Sequence, residues 1–379
     1  MKTSECIMSE IKKWILEIDL INGNSIIKKL QSINAIDTNF KIHSQNNSIF
    51  IPLKHEIDNL SVLLNGYEFK IFPAQKNSKN LIDRKKTHSK SLKETLKEII
   101  PSEFHNLLPR AFDIIGDIAI IELNRDEQKP LRPFINSIGQ ILLENHSNIK
   151  SVYEKASDIE GLYRTRKFDL IAGLNKTETI HRENLGKFHV DIEQTFFSPR
   201  LAYERQRIAK LKTEFNLNGK IWDVFCGVGP FIIQISKKNP KAHSIGTDIN
   251  CRAIELAKKN IELNKIVGNI EFYCQDVKEI SISQVFSKFQ NSISRFIMNL
   301  PEKSIQFLKN LPQFIQKNGA LLHLYQFNKK INPIQEAKDI FEKELKNTRI
   351  KLKEYKFSKV VKPFSPNIVM TVLDAIISL

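Results

Sequence analysis

A chain of 379 residues, 41% hydrophobic and 26% charged, has the composition of a soluble globular protein with room for two or three cores. No apolar run reaches the roughly 20 residues of a membrane span, and the first residues lack a charged-then-apolar leader. Four cysteines with no Cys-x-x-Cys pair and no histidine cluster argue against zinc and against disulfides, so a reducing cytoplasm is expected. The formal net charge of +16 fits a lysine-rich composition and a polyanionic partner equally well.

In chain order, residues 14–53 read strand–helix–strand–strand. Trp14–Ile21 alternates, Ile26, Ile27, Leu30 and Ile33 keep helical spacing, and Phe40–His43 and Ser48–Leu53 return as strands. With a further strand over Glu68–Phe72, residues 1–75 form a small α+β module. In residues 76–97 eight lysines and arginines face two acids, which predicts a basic linker. Residues 98–195 read as an α+β domain, with a strand over Phe112–Leu123 and a helix over Pro130–Asn145. Strands are also predicted over Ser151–Tyr153, Lys167–Ala172, Glu178–Arg182 and Lys187–Glu193. The turns Gly173-Leu-Asn and Glu183-Asn-Leu-Gly predict that the last three form an antiparallel meander.

In residues 196–379 strands and helices alternate. Strands are predicted at 221–225, 243–247, 270–274, 293–298, 319–326, 349–357 and 367–378, with helices between them, including 281–289 and 302–317. This is the pattern of an α/β, Rossmann-like, largely parallel sheet with its ligand across the carboxyl ends of the strands.

The chemistry lies at those strand ends. Asp223-Val-Phe-Cys-Gly-Val-Gly breaks an apolar run with Gly227 and Gly229, which lets the backbone approach a nucleoside ligand. Asp248 follows Asp223 by 25 residues at the next strand end, with Ile249 beside it, where an acid accepts hydrogen bonds from ribose hydroxyls. Asp276 and Val277 follow the third strand and suit an adenine. Each residue alone reads as a turn glycine or a capping acid; the ordered set does not. A dinucleotide dehydrogenase would need a third glycine in the turn, which is absent. Asn299-Leu-Pro follows at the fourth strand end.

These motifs resemble those of S-adenosylmethionine-dependent methyltransferases. The run His181–Arg207, containing Phe196-Phe-Ser-Pro-Arg-Leu-Ala-Tyr-Glu-Arg, the Phe-Cys-Gly-Val-Gly-Pro-Phe loop and Met-Asn-Leu-Pro together resemble the archaeal and eukaryotic tRNA (guanine-N1)-methyltransferases acting at position 37. Leu108-Pro-Arg-Ala-Phe-Asp-Ile-Ile-Gly-Asp and Val361-Lys-Pro-Phe-Ser-Pro are similar to other segments of that family. The resemblance is strong over Leu107–Leu379 and weaker before it. It implies S-adenosylmethionine as cofactor, tRNA as partner through its anticodon loop and body, and a monomer, with residues 1–75 gripping the tRNA.

The resemblance also implies roles. Guanine N1 must lose its proton before it attacks, and Glu204 is the implied general base. Arg164 is the implied donor to O6, where charge develops, with Arg166 left open as the alternative. Asn299 would orient the base, and Phe196, Arg200, Asp223, Gly227, Gly229, Asp248, Ile249, Asp276 and Val277 would hold the cofactor. Phe196 stands where relatives often have tyrosine, which removes a hydroxyl contact. Taken alone, Glu204 is as readily an acid serving the helix dipole or an ion pair with Arg205 or Lys212. Two other functions stay open: aminocarboxypropyl transfer in the wybutosine branch of the superfamily, and a non-catalytic RNA-binding protein.

Overall fold

The computed structural model of the chain describes residues 14–19, 22–45, 47–73, 82–83, 92–109, 112–123, 126–157, 161–211, 220–280 and 283–379. Two compact units meet in sequence between Thr95 and Leu96.

The first unit contains β1 (Trp14–Asp19), α1 (Gly23–Ser32), β2 (Phe40–Lys41), β3 (His43–Gln45), β4 (Ser48–Leu53), α2 (Leu60–Leu63), β5 (Phe69–Pro73) and β6 (Ile82–Asp83). β1 pairs antiparallel with β4 on one side and β5 on the other, giving the order β3-β4-β1-β5. The alternation of β1 places Leu16 and Ile18 against Ile26 and Leu30 of α1 and Ile51 and Leu53 of β4. Within the expected basic linker, residues 76–81 and 84–91 lie outside the described residues. Its end is a helix, α3 (Leu92–Ile99), because Leu96 and Ile100 share a buried face.

The second unit opens with β7 (Asp113–Ile115), β8 (Ile118–Ile121), α4 (Ile135–Asn145), β9 (Ser151–Lys155), β10 (Phe168–Gly173), β11 (Glu178–Glu183) and β12 (Gly186–Asp191). Pro130 and Pro133 turn the first five residues of the expected 130–145 helix into part of a 3-10 segment, since neither can donate an i→i−4 hydrogen bond. The expected meander is not formed. β10 pairs with β9 in a sheet of order β10-β9-β8-β7, while β11 and β12 form a separate hairpin. Gly173, at φ +88°, turns the chain where a Cβ would stand 2.2 Å from the Lys150 carbonyl oxygen, so its turn leaves the sheet rather than extending it.

The remainder is α5 (Ala202–Lys210), β13 (Lys220–Asp223), α6 (Pro230–Lys238), β14 (His243–Asp248), α7 (Cys251–Leu263), β15 (Ile270–Cys274), β16 (Ile293–Met298), β17 (Ala320–Lys329), α8 (Pro333–Leu345), β18 (Lys351–Pro363) and β19 (Ile368–Ser378). The sheet order is β15-β14-β13-β16-β17-β19-β18, with the first five strands parallel and β19 antiparallel to both neighbours. Central β16 is buried at every position, as a parallel strand covered on both faces must be. Trp222, Phe286, Phe296 and Phe314 fill one side of it. The helices expected at 281–289 and 302–317 are short 3-10 turns over Gln284–Phe289, Ser304–Asn310 and Pro312–Phe314. The expectation of no disulfide is corrected as well: Cys251 and Cys274 are bonded, 23 residues apart. Parallel pairing of β14 with β15 sets Asp248 opposite Cys274, which brings the start of α7 to the end of β15.

Candidate functional site

The carboxyl ends of β13, β14, β15 and β16 enclose a cavity of about 220 Å³. Gly227 sits in its wall at φ +53°, and a Cβ there would point into open space bounded by the Phe196 carbonyl oxygen at 3.7 Å. The Gly227 amide donates to Asp248 Oδ2 (2.8 Å) and the Asn250 amide to Oδ1 (2.9 Å), so the glycine loop and the acid form one unit. Burial raises the Asp248 carboxyl while these amides hold it down. Ile249, Asp276 and Val277 line the cavity, and Phe225 and Phe307 meet edge to face in its wall with ring centres 5.2 Å apart.

Three residues expected at the cofactor stand elsewhere. Gly229, at φ +79°, is outside the cavity wall; a Cβ there would strike the Phe272 ring at 2.9 Å, so its reason is packing. Arg200 belongs to a second cavity. Asp223 is fully buried at the end of β13, behind the loop. Burial raises its carboxyl to about 8, Asp248 adding to the rise while the Phe225 amide and Arg205 oppose it. Neither oxygen accepts a hydrogen bond of normal geometry, the Phe225 amide included. A glycine cradle with an acid at the next strand end suits a nucleoside ligand.

The second cavity, about 400 Å³, is built from distant segments: Asp113, Lys155, Arg166, Arg200, Phe327 and Lys362 all line it. Arg200 Nε donates to Asp113 Oδ1 (2.8 Å). Lys362 Nζ donates to Ser198 Oγ (3.3 Å); burial, then the nearby Arg200, lowers its ammonium to about 8. Nothing in the sequence assigns Lys362 a role at the site, although the segment Val361-Lys-Pro-Phe-Ser-Pro that holds it resembles the methyltransferase family.

Arg164, Phe196 and Asn299 line both cavities. Arg164 adopts φ +56°, a left-handed conformation that a non-glycine residue holds only at a cost. Its guanidinium lies 5.0 Å from the Phe196 ring centre, and Nη2 is 3.2 Å from Glu302 Oε1. Its Nε and Nη1 are buried without partners, as is Oδ1 of Asn299. Among the described residues, two donors and one acceptor are thus unpaired in the wall that the two cavities share. Arg166 lines the larger cavity alone.

Glu204 lines neither cavity. It lies one helical turn beyond the Pro199–Leu201 wall, and its carboxylate is buried among Arg207 Nε (3.0 Å), Lys359 Nζ (2.5 Å) and the Tyr325 hydroxyl (3.2 Å). The ion-pair reading of this residue is therefore realised, with Arg207 and Lys359 in place of Arg205. Arg205 instead holds Glu183 (2.5 Å) and the Ser198 carbonyl, tying the β11–β12 hairpin to α5, and Lys212 lies outside the described residues. Behind Arg207, Asp374 accepts from its Nη1 (2.5 Å), and His323 Nδ1 lies 2.6 Å from Asp374. Burial opposes the charge of Asp374, yet His323 and Arg207 hold it well below the usual carboxylate range.

Residues 179–353 match the TRM5/TYW2 methyltransferase domain, 92–177 the TYW2 N-terminal domain, and 16–61 the tRNA methyltransferase 5 N-terminal domain. The chain is 35% identical to the tRNA (guanine(37)-N(1))-methyltransferase Trm5b of Pyrococcus abyssi, over 84% of this chain and 85% of that one. The chain belongs to the tRNA (guanine(37)-N(1))-methyltransferase family. Its Methanocaldococcus jannaschii relative of the same name is 30% identical over 95% of this chain and 97% of its own. A solved complex of aTrm5 with tRNALeu has TM-score 0.62 and 30% identity, covering 96% of this chain and 99% of that one. Among the described residues no cluster of histidine, cysteine or acid could hold a metal, and no helix is long and apolar enough to cross a membrane.

Proposed function

We propose that this chain transfers the methyl group of S-adenosylmethionine to N1 of guanosine 37 in tRNA, 3′ of the anticodon, acting as a cytoplasmic monomer. The smaller cavity takes the cofactor and the larger one is the acceptor side. The observation that carries the reading is the wall shared by a nucleoside cavity and a larger basic one, where Arg164 Nε and Nη1 and Asn299 Oδ1 are buried with no partner among the described residues. Bound S-adenosylmethionine supplies an electrophilic methyl group on a sulfonium. Gly227, Asp248, Ile249, Asp276 and Val277 hold its nucleoside, and buried Asp223 stands behind the loop. Arg164 donates to guanine O6, where negative charge develops as N1 loses its proton, in a site that shields the charge from water. Asn299 Oδ1 accepts from the base edge and fixes its plane. Glu204 is the base that the family resemblance implies; it is buried outside both cavities, so its taking the proton requires the arriving RNA to bring its carboxylate into the acceptor cavity. The base must leave its stack to reach this junction, which favours an open anticodon loop, with residues 1–75 gripping the tRNA body.

The match of residues 92–177 to the TYW2 N-terminal domain favours a second reading, aminocarboxypropyl transfer from the same cofactor. The tRNA methyltransferase 5 match over 16–61 and the open O6 donor count against it. Nucleoside mass spectrometry of an unmodified tRNA transcript, after incubation with enzyme and cofactor, separates the two. The proposal expects 1-methylguanosine at position 37, absent when that residue is changed to adenosine. An aminocarboxypropyl adduct, or no product, would refute it.

A further inference from the structure

The ion pair between Arg164 Nη2 and Glu302 Oε1 (3.2 Å) has no part in the steps above. Glu302 follows Asn299 by three residues, on the loop after β16, and lines the cofactor cavity beside the junction. Its side chain is 41% exposed, so core packing does not account for it. We infer that Glu302 is a specificity residue that accepts a hydrogen bond from the exocyclic 2-amino group of the acceptor guanine while Arg164 donates to O6. The inference rests on the guanine-N1 reading above.

On the pairing edge of guanine, N1 lies between the O6 acceptor and the N2 amine donor. A guanidinium and a carboxylate match those two groups in order, and as the base enters they part to flank N1, which stays open to the methyl donor. Adenine presents an amine in place of O6 and a bare C–H in place of the amine, so Arg164 would meet a donor and Glu302 nothing. Nε and Nη1 of Arg164 have no partner among the described residues, so the guanidinium can turn to O6 as the base draws Glu302 to its amine. The amine carries two hydrogens, so Asn299 Oδ1 and Glu302 can each accept one.

The test deletes one atom group from the substrate and one from the protein. Two tRNA transcripts differ only at position 37, guanosine in one and inosine, which lacks the 2-amino group, in the other. Each is methylated by the wild type and by Glu302→Ala, and cofactor affinity is measured by calorimetry. The wild type should prefer guanosine by roughly tenfold to a hundredfold in kcat/KM, the loss expected when a charged acceptor is left without its donor. In Glu302→Ala the guanosine substrate should fall toward the inosine level, inosine should change by no more than about threefold, and cofactor affinity should hold. Equal losses on both substrates would reduce Glu302 to a tether for Arg164 and overturn the inference. A weaker cofactor Kd in the variant would place the carboxylate on the cofactor and overturn it too. A wild type that leaves the guanosine transcript unmethylated would overturn the parent reading, and this one with it.

Discussion

The cofactor cavity is assembled from the ends of adjacent parallel strands, each followed within a few residues by the group that faces the ligand. The acceptor cavity draws Asp113, Lys155, Arg164, Arg200 and Lys362 from segments spread over some two thirds of the chain. One is fixed by local backbone geometry, with Gly227 and Asp248 joined by a 2.8 Å hydrogen bond. The other is fixed by charges that converge only when the β10-β9-β8-β7 sheet, α5 and β18 come together. Damage to the first should therefore appear as lost cofactor affinity, and damage to the second as lost chemistry or lost RNA affinity.

The steepest loss should come from behind the acceptor side. Glu204→Gln keeps the shape of the buried cluster but cannot take a proton, so single-turnover methylation should fall by roughly 10²–10⁴ with both affinities retained. A wild-type rate in this variant would confine Glu204 to its ion pairs with Arg207 and Lys359. At the junction, Asn299→Ala should slow the chemical step roughly a hundredfold under saturation, since the base edge loses its acceptor. Loss confined to the cofactor Kd would move Asn299 wholly to the cofactor side. Within the cofactor cavity, Asp248→Ala removes the partner of the Gly227 amide and the proposed acceptor for the ribose; cofactor binding should weaken roughly tenfold to a hundredfold while tRNA affinity stays level. Calorimetry with each substrate checks both halves of that statement.

A milder change, a pH dependence, should be confined to the acceptor side. Lys362 sits at about 8 in the folded chain against an unperturbed 10.5, so raising the pH from 7 to 9 removes its charge only from the folded protein. Folding stability should consequently rise with pH between about 8 and 10.5, where the unfolded chain binds the extra proton. Affinity for tRNA should fall about threefold to tenfold over pH 7 to 9, and this fall should disappear in Lys362→Met. Persistence of the pH dependence in that variant would assign it to another group.

Legibility in the sequence follows the same division. Asp223, Gly227, Asp248 and Asn299 stand at strand ends, and strand ends are visible as breaks in apolar runs. Lys362 cannot be paired with Ser198 across 164 residues without the sheet that joins them. The expected meander fails because a glycine turn looks alike whether the next strand pairs or departs, and Gly173 departs. The Cys251–Cys274 bond is invisible for a related reason: its two ends meet only once β14 and β15 are known neighbours in register. The helical segments after β15 and β16 are shorter than expected because apolar spacing marks a buried face but not the tightness of the turn.

Arg164 is one of three residues that line both cavities, and its service to the chemistry there is what the whole reading depends on. Single-turnover methylation by Arg164→Ala, with cofactor and tRNA both saturating, puts that dependence to the test. The rate should fall by roughly 10²–10³, the effect of removing a donor from a developing oxyanion, while both dissociation constants stay within a few-fold of wild type. A wild-type rate at saturation, with only the affinity for one substrate reduced, would contradict this role and return the O6 contact to Arg166 or to no arginine at all.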